Sequence, residues 1–114
     1  MKEFVMLFRN APTGDAMPSP EVMQELAKKW DNWLAGISAK NRFVSGSRLS
    51  FEGRILKPGN IITDGPYAEV KEIFGGFVNV KAASLDDALE MAQGCPILQI
   101  GGYVEVRPVI TNNA

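Results

Sequence analysis

The chain has no histidine among its 114 residues. This removes the side chain whose ordinary pKa lies nearest neutral pH, so any proton transfer must run on carboxylates, Lys or Arg. Cysteine occurs once, at Cys95, which excludes an intramolecular disulfide. With one thiol and no imidazole, a zinc site is not expected. The mildly apolar start MKEFVMLFRN contains Glu3 and is too short for a signal-peptide core or a membrane helix. A cytoplasmic location is therefore expected. An excess of one charge is also missing. The formal net charge is −1, the basic residues are scattered, and there is no acidic tail. Direct nucleic-acid binding is not expected from such a surface. No phosphate-cradling loop, nucleophile elbow, flavin fingerprint or nicotinamide fingerprint is present, so no cofactor is expected.

What remains is a chain of single-domain length, read as one unit over 1–114 and long enough to bury a core without disulfide or metal. Residues 3–9 (EFVMLFR) read as a strand with Phe4, Met6 and Phe8 on one side and Val5 and Leu7 on the other. A strand apolar on both sides belongs in the middle of a sheet. Pro12, Gly14, Pro18 and Pro20 make 10–19 a loop, and Ser19 before Pro20 is a helix start. Val22, Met23, Leu26, Ala27, Trp30, Trp33, Leu34 and Ile37 then keep helical spacing to about 37. Residues 42–51 suggest a second strand with an irregularity at Gly46. Residues 54–63 suggest a hairpin turning at Pro58-Gly59 in a type II turn. A single helical turn is expected around 68–73, followed by an alternating strand over 76–83. Ser84 with Asp87 starts a second helix over about 85–93, stopped by Gly94 and Pro96. Residues 102–108 form the last strand, and the tail after 109 is frayed. The helix-flanked Cys95 reads as a small buried thiol.

The order β-α-β-hairpin-β-α-β predicts an α+β, ferredoxin-like sandwich, with two helices on one face of a four-stranded antiparallel sheet. Val78, Val80, Ala82, Val104 and Val106 would face the helices. Phe77, Asn79, Lys81, Tyr103, Glu105 and Arg107 would then face the other way. That second side is too polar for a sealed core and, with Val5 and Leu7, too apolar for open water. It suits a partly wet cavity between two stacked sheets of a homodimer. The alternative is a solvated face with Glu105 or Arg107 in surface ion pairs.

The segment DGPYAEVKEIFGGF, from Asp64 to Phe77, concentrates special residues in one connection. Asp64 is read either as an Asx-type turn residue or as a general base or ligand anchor at the cavity mouth. Gly65 permits close backbone approach, Pro66 rigidifies the exit, and Tyr67 offers a ring and a hydroxyl. Glu69, Lys71 and Glu72 form either a solvated turn salt-bridged to Arg48 or Arg107, or a polar network presenting Lys71 or Arg48 to an anionic ligand. Glu69 and Glu72 would hold a hard cation only with further oxygen ligands, so no metal is assigned. Gly75-Gly76 marks a bulge or a tight passage under the loop.

The string DGP-x-x-E-x-K-E-x-x-G-G-F resembles the signature of the YCII-related, or DGPF-domain, proteins of bacteria. The Trp30/Trp33 helix, Gly46-Ser47-Arg48-Leu49, the Ser84–Asp87 start and the closing Glu105-Val106-Arg107-Pro108 are similar to that family as well. The resemblance covers nearly the whole chain. It implies a dimeric α/β-barrel fold, related in shape to muconolactone isomerase-like domains. Relatives in the wider group act on small cyclic or chlorinated aromatic-derived compounds, with a His-Asp pair proposed for proton transfer. Other members carry a label of association with transcription initiation. Here Tyr67 replaces the Phe of the motif, and Asp64 has no histidine to pair with.

Two functions follow as expectations. The first is a dimeric small-molecule-binding domain, extending to cofactor-independent acid/base chemistry on a small cyclic or anionic organic compound. Asp64 would be base or anchor; Arg48, Gly65, Pro66, Tyr67, Lys71 and Arg107 would contact the ligand; Glu69, Glu72 and Glu105 would hold the loop. The alternative is a non-catalytic regulatory or sensor module acting through protein partners.

Overall fold

The computed structural model describes residues 1–10, 19–49, 53–65 and 73–110. In chain order the elements are β1 (Lys2–Asn10), α1 (Pro20–Ala39), β2 (Phe43–Arg48), β3 (Gly53–Lys57), β4 (Ile61–Gly65), β5 (Ile73–Ala82), α2 (Leu85–Ala92), a 3-10 helix (Pro96–Ile100) and β6 (Tyr103–Pro108). Four strands make one sheet in the order β2-β5-β1-β6, while β3 and β4 pair separately as a two-stranded ribbon. β1 pairs antiparallel with both β5 and β6, the central place its two apolar sides call for. This is the ferredoxin-like α+β sandwich, the protomer of the dimeric α/β-barrel fold.

Register lines up the covered side of the sheet. Met6 stands opposite Val78 and Val106, and Phe4 opposite Val80. Phe4, Met6, Phe8, Val78, Val80 and Ala82 are buried against Ile37, Ala88, Ala92, Cys95 and Ile97. Phe8, Trp30 and Trp33 meet edge to face, with centroids 4.9 to 5.9 Å apart. Such contacts add roughly 0.5–1.5 kcal/mol each beyond area burial. Trp33 Nε1 also donates to the Met91 carbonyl at 3.0 Å, which joins the two helices.

Both helix starts use their serines as expected. Ser19 Oγ accepts from the Val22 N–H at 3.3 Å, and Ser84 Oγ accepts from the Asp87 N–H at 3.1 Å. Each cap satisfies one donor that the first helical turn leaves unbonded. The apolar stripe of α1 is buried only in its second half. Val22 and Met23 are each 44% exposed, whereas Ile37 is 5% exposed.

Four expectations need correction. The irregularity of β2 falls at Val44, the extra residue between Phe43↔Val80 and Ser45↔Asn79, and not at Gly46. β5 begins at Ile73, because Asn10 and Arg9 continue to pair with Ile73 and Phe74 past a bulge at Gly75. This overrides the helical turn expected to reach residue 73; residues 66–72 lie outside the described residues. β4 continues through Asp64 and Gly65, opposite Arg54 and Gly53, so Asp64 sits inside the strand and not beyond its end. The 3-10 helix after Cys95 was not expected; Pro96 stops α2 but also suits the first position of a new short helix.

Glycine is required where the chain passes closest to β2 and where the ribbon turns. Gly76 has φ +153°, and a Cβ there would meet the Ser47 carbonyl at 2.7 Å, so the tight passage is against β2. Gly59 takes φ +86° after Pro58, as the expected turn demands, and Asn60 follows at φ +60°. The ribbon that this turn closes carries Leu56, Ile61 and Ile62 exposed.

Candidate functional site

Strand alternation sends Glu3, Val5, Leu7 and Arg9 of β1 away from the helices. Val5 lies between Asn79 and Arg107, and Leu7 between Phe77 and Glu105. Arg9 stands opposite Tyr103, and Glu3 opposite Lys81. The expected second face is thus present with its expected members. Its centre is an apolar strip of Val5, Leu7 and Phe77, all half-buried, flanked by charge.

The charge is organised about Glu105. Its Oε1 lies 3.6 Å from Arg9 Nη2, and its Oε2 lies 3.8 Å from Arg107 Nε. Both separations exceed good hydrogen-bond length, so the carboxylate lies near both cations without clamping Arg107. On the β2 side of the same face, Asn79 Nδ2 donates to Ser45 Oγ at 2.9 Å. This bond anchors the polar side chain beside the apolar strip.

Arg9 was missed in the sequence. The alternation that placed Val5 and Leu7 on this face continues to Arg9, but a charge at a strand end reads as a terminator. Arg107 and Glu105 are brought together. Arg48 is exposed at the end of β2 and pairs with Gly76, in the row that continues Val78; Arg107 pairs with Val5, in the opposite row. The sheet therefore starts these two cations from opposite sides. Asp64 and Gly65 lie in β4. The expected roles of Pro66, Tyr67, Glu69, Lys71 and Glu72 fall outside the described residues.

A second recess, of about 410 Å³, lies between the end of α1 and α2, with Trp33, Lys40, Arg42, Asp87, Glu90 and Met91 in its wall. Arg42 Nη1 donates to Asp87 Oδ2 at 2.6 Å, and the Ala83 N–H donates to the same oxygen at 2.9 Å. The Ala83 amide first, and the Arg42 guanidinium second, hold the Asp87 carboxyl below the usual carboxylate range. A carboxylate so held is a poor base; it ties the start of α2 to the chain just before β2. Cys95 is buried as expected, and burial pushes its thiol up to about 11. It stays protonated near neutral pH and is no nucleophile. Among the described residues, no three acidic or thiol groups gather to hold a metal ion, and no helix is long and apolar enough to cross a membrane.

No curated protein sequence matches the chain. Among solved structures, the chain is similar to 5-chloro-2-hydroxyhydroquinone dehydrochlorinase (TftG) from Burkholderia phenoliruptrix AC1100, solved in complex with 2,5-dihydroxybenzoquinone. The TM-score is 0.54 at 16% sequence identity, over 94% of this chain and 93% of that one. At such identity the likeness is one of fold. The profile of the YCII-related domain family matches residues 3–113. With that match over nearly its full length, and with the sheet order and helix layer described above, the chain belongs to the YCII-related domain family.

Proposed function

We propose that this chain is a dimeric small-molecule-binding domain, in which two copies stack open face to open face and enclose a ligand. The observation that carries the reading is the half-buried strip of Val5, Leu7 and Phe77, which no helix of the described residues covers, bordered by the Arg9–Glu105–Arg107 row. Apolar surface of this kind is stabilised by cover, at about 25 cal/mol per Å². Charges beside it are tolerated where solvent or a ligand remains. The exposed Leu56, Ile61 and Ile62 of the ribbon add further apolar surface that association would cover. The named ligand of the similar dehydrochlorinase structure, a small quinone, supports a compact organic ligand here as well.

Catalysis, where it occurs, is cofactor-independent acid/base chemistry. Asp64 is the proposed base or anchor, and Arg48, Lys71 or Arg107 is proposed to stabilise negative charge on the ligand. The test has two parts. Sedimentation should give a dimer at micromolar concentration; a monomer removes the enclosed cavity. In a dimer with a bound metabolite, Asp64→Ala should lower affinity or turnover about tenfold or more, the scale of a lost charge-assisted contact. Unchanged affinity and turnover in a folded dimeric variant would remove Asp64 from the site. The absence of histidine favours a second reading, a non-catalytic ligand sensor that acts through a protein partner. Under that reading Asp64→Ala alters binding and no turnover is found.

A further inference from the structure

The chain leaves more surface open than its size calls for. It exposes 8351 Å². A compact monomer of its mass, 12.4 kDa, exposes about 6,100 Å². The excess, roughly 2,000 Å², is on the scale that one copy gives up in a large permanent interface. Between residues 43 and 62 no large apolar side chain of the described residues is buried. The most open are in the ribbon, where Leu56, Ile61 and Ile62 are 67%, 55% and 62% exposed. Leu56 stands opposite Ile62, so strand alternation puts both on one side of the ribbon. Among the described residues, β3 and β4 pack on each other and on no helix or strand of the main sheet. A two-stranded ribbon of this kind is marginal in water by itself.

Resting on the reading of the Val5, Leu7 and Phe77 strip as the ligand face, we infer that the β3–β4 ribbon is an arm exchanged between two copies. The Leu56–Ile62 side of each ribbon lies against the strip of the other copy and closes that copy's cavity. A second copy is the occupant because it supplies both surfaces at once. Under twofold symmetry each arm meets the other copy's strip, so one operation covers two exposed surfaces in each chain. Within one chain the two surfaces stay apart, since the ribbon does not pack on its own sheet. The ligand cavity of one copy is therefore incomplete until Leu56 and Ile62 arrive from the other.

The test joins two singly substituted full chains, one with Ile62→Cys and one with Leu7→Cys, by a short bis-maleimide. The natural Cys95 is sealed and takes no part. A covalent dimer should form in the mixture, and far less of it with either chain alone. Independently, Leu56→Ser combined with Ile62→Ser should raise the dimer dissociation constant about a hundredfold or more, as two apolar side chains per copy lose their cover. Both positions are exposed, so the protomer keeps its fold. A chain carrying both cysteines, diluted into excess unsubstituted chain, should give no link within itself. Such an internal link would mean that the arm folds onto its own face, and would overturn the exchange while the ligand face stands. A dimer in sedimentation with no mixed link and an unchanged dissociation constant would overturn the exchange but leave the stacked faces. A monomer at micromolar concentration would overturn the exchange and the enclosed cavity together.

Discussion

Met6 and Leu7 are neighbours in the chain, yet they belong to two different environments. Met6 is fully buried beneath the helices, opposite Val78 and Val106. Leu7 is half-buried on the reverse side, between Phe77 and Glu105. One strand thus supplies a sealed core on one side and a half-buried, mixed surface on the other. Every residue buried on the core side is apolar. The reverse side mixes apolar with charged rows, which is the pattern of a surface meant to meet something.

The sharpest way to break this contrast is to truncate both neighbours. Met6→Ala should cost about 2–5 kcal/mol in chemical denaturation, since it opens a cavity in a filled core. Leu7→Ala should cost far less for a dilute monomer, and its cost should grow with protein concentration as association sets in. Equal, concentration-independent losses would mean that the two sides are the same kind of interior. A smaller effect probes the seam between β2 and β5, where both sides depend on one backbone approach. Gly76→Ala should destabilise by about 1–3 kcal/mol, because the new methyl meets the Ser47 carbonyl in a conformation that suits glycine. Unchanged stability in a thermal melt would show that β2 shifts freely. The smallest effect concerns the helix side. The Asp87 pKa is lower folded than unfolded, so its stabilisation is present above the unfolded value, near 3.8, and fades as pH falls through the folded value. Asp87→Asn should flatten that acid limb of the stability curve; a limb of unchanged slope would assign acid loss to other carboxylates.

The sequence made the covered side legible and the margins of the elements less so. Val78, Val80 and Ala82 alternate, and their burial follows from that alternation alone. Ser19 and Ser84 announce their helices because a cap is a local device with a local hydrogen bond. The start of β5 is not local. Ile73 and Phe74 are extended because Asn10 and Arg9 offer them a ladder, and that offer comes from residues over sixty positions away. Likewise, the bulge at Val44 exists only in relation to β5, so Gly46 drew attention by its composition while the mismatch lay two residues earlier. The candidate site was half legible. Alternation placed Glu105 and Arg107 on the same face, but Arg9, although inside the strand read over 3–9, gained a role only once it was seen opposite Tyr103 and beside Glu105.

Cys95 offers a practical handle. Its sulfur is sealed inside the protein and resists deprotonation up to about 11, so thiol reagents applied at neutral pH should leave the native chain untouched. A single new cysteine introduced at exposed Lys81 would then be the one position to take a spin label. The spacing between two such labels would act as a molecular ruler for how copies of the chain approach each other, without first stripping the natural sulfur from the sequence.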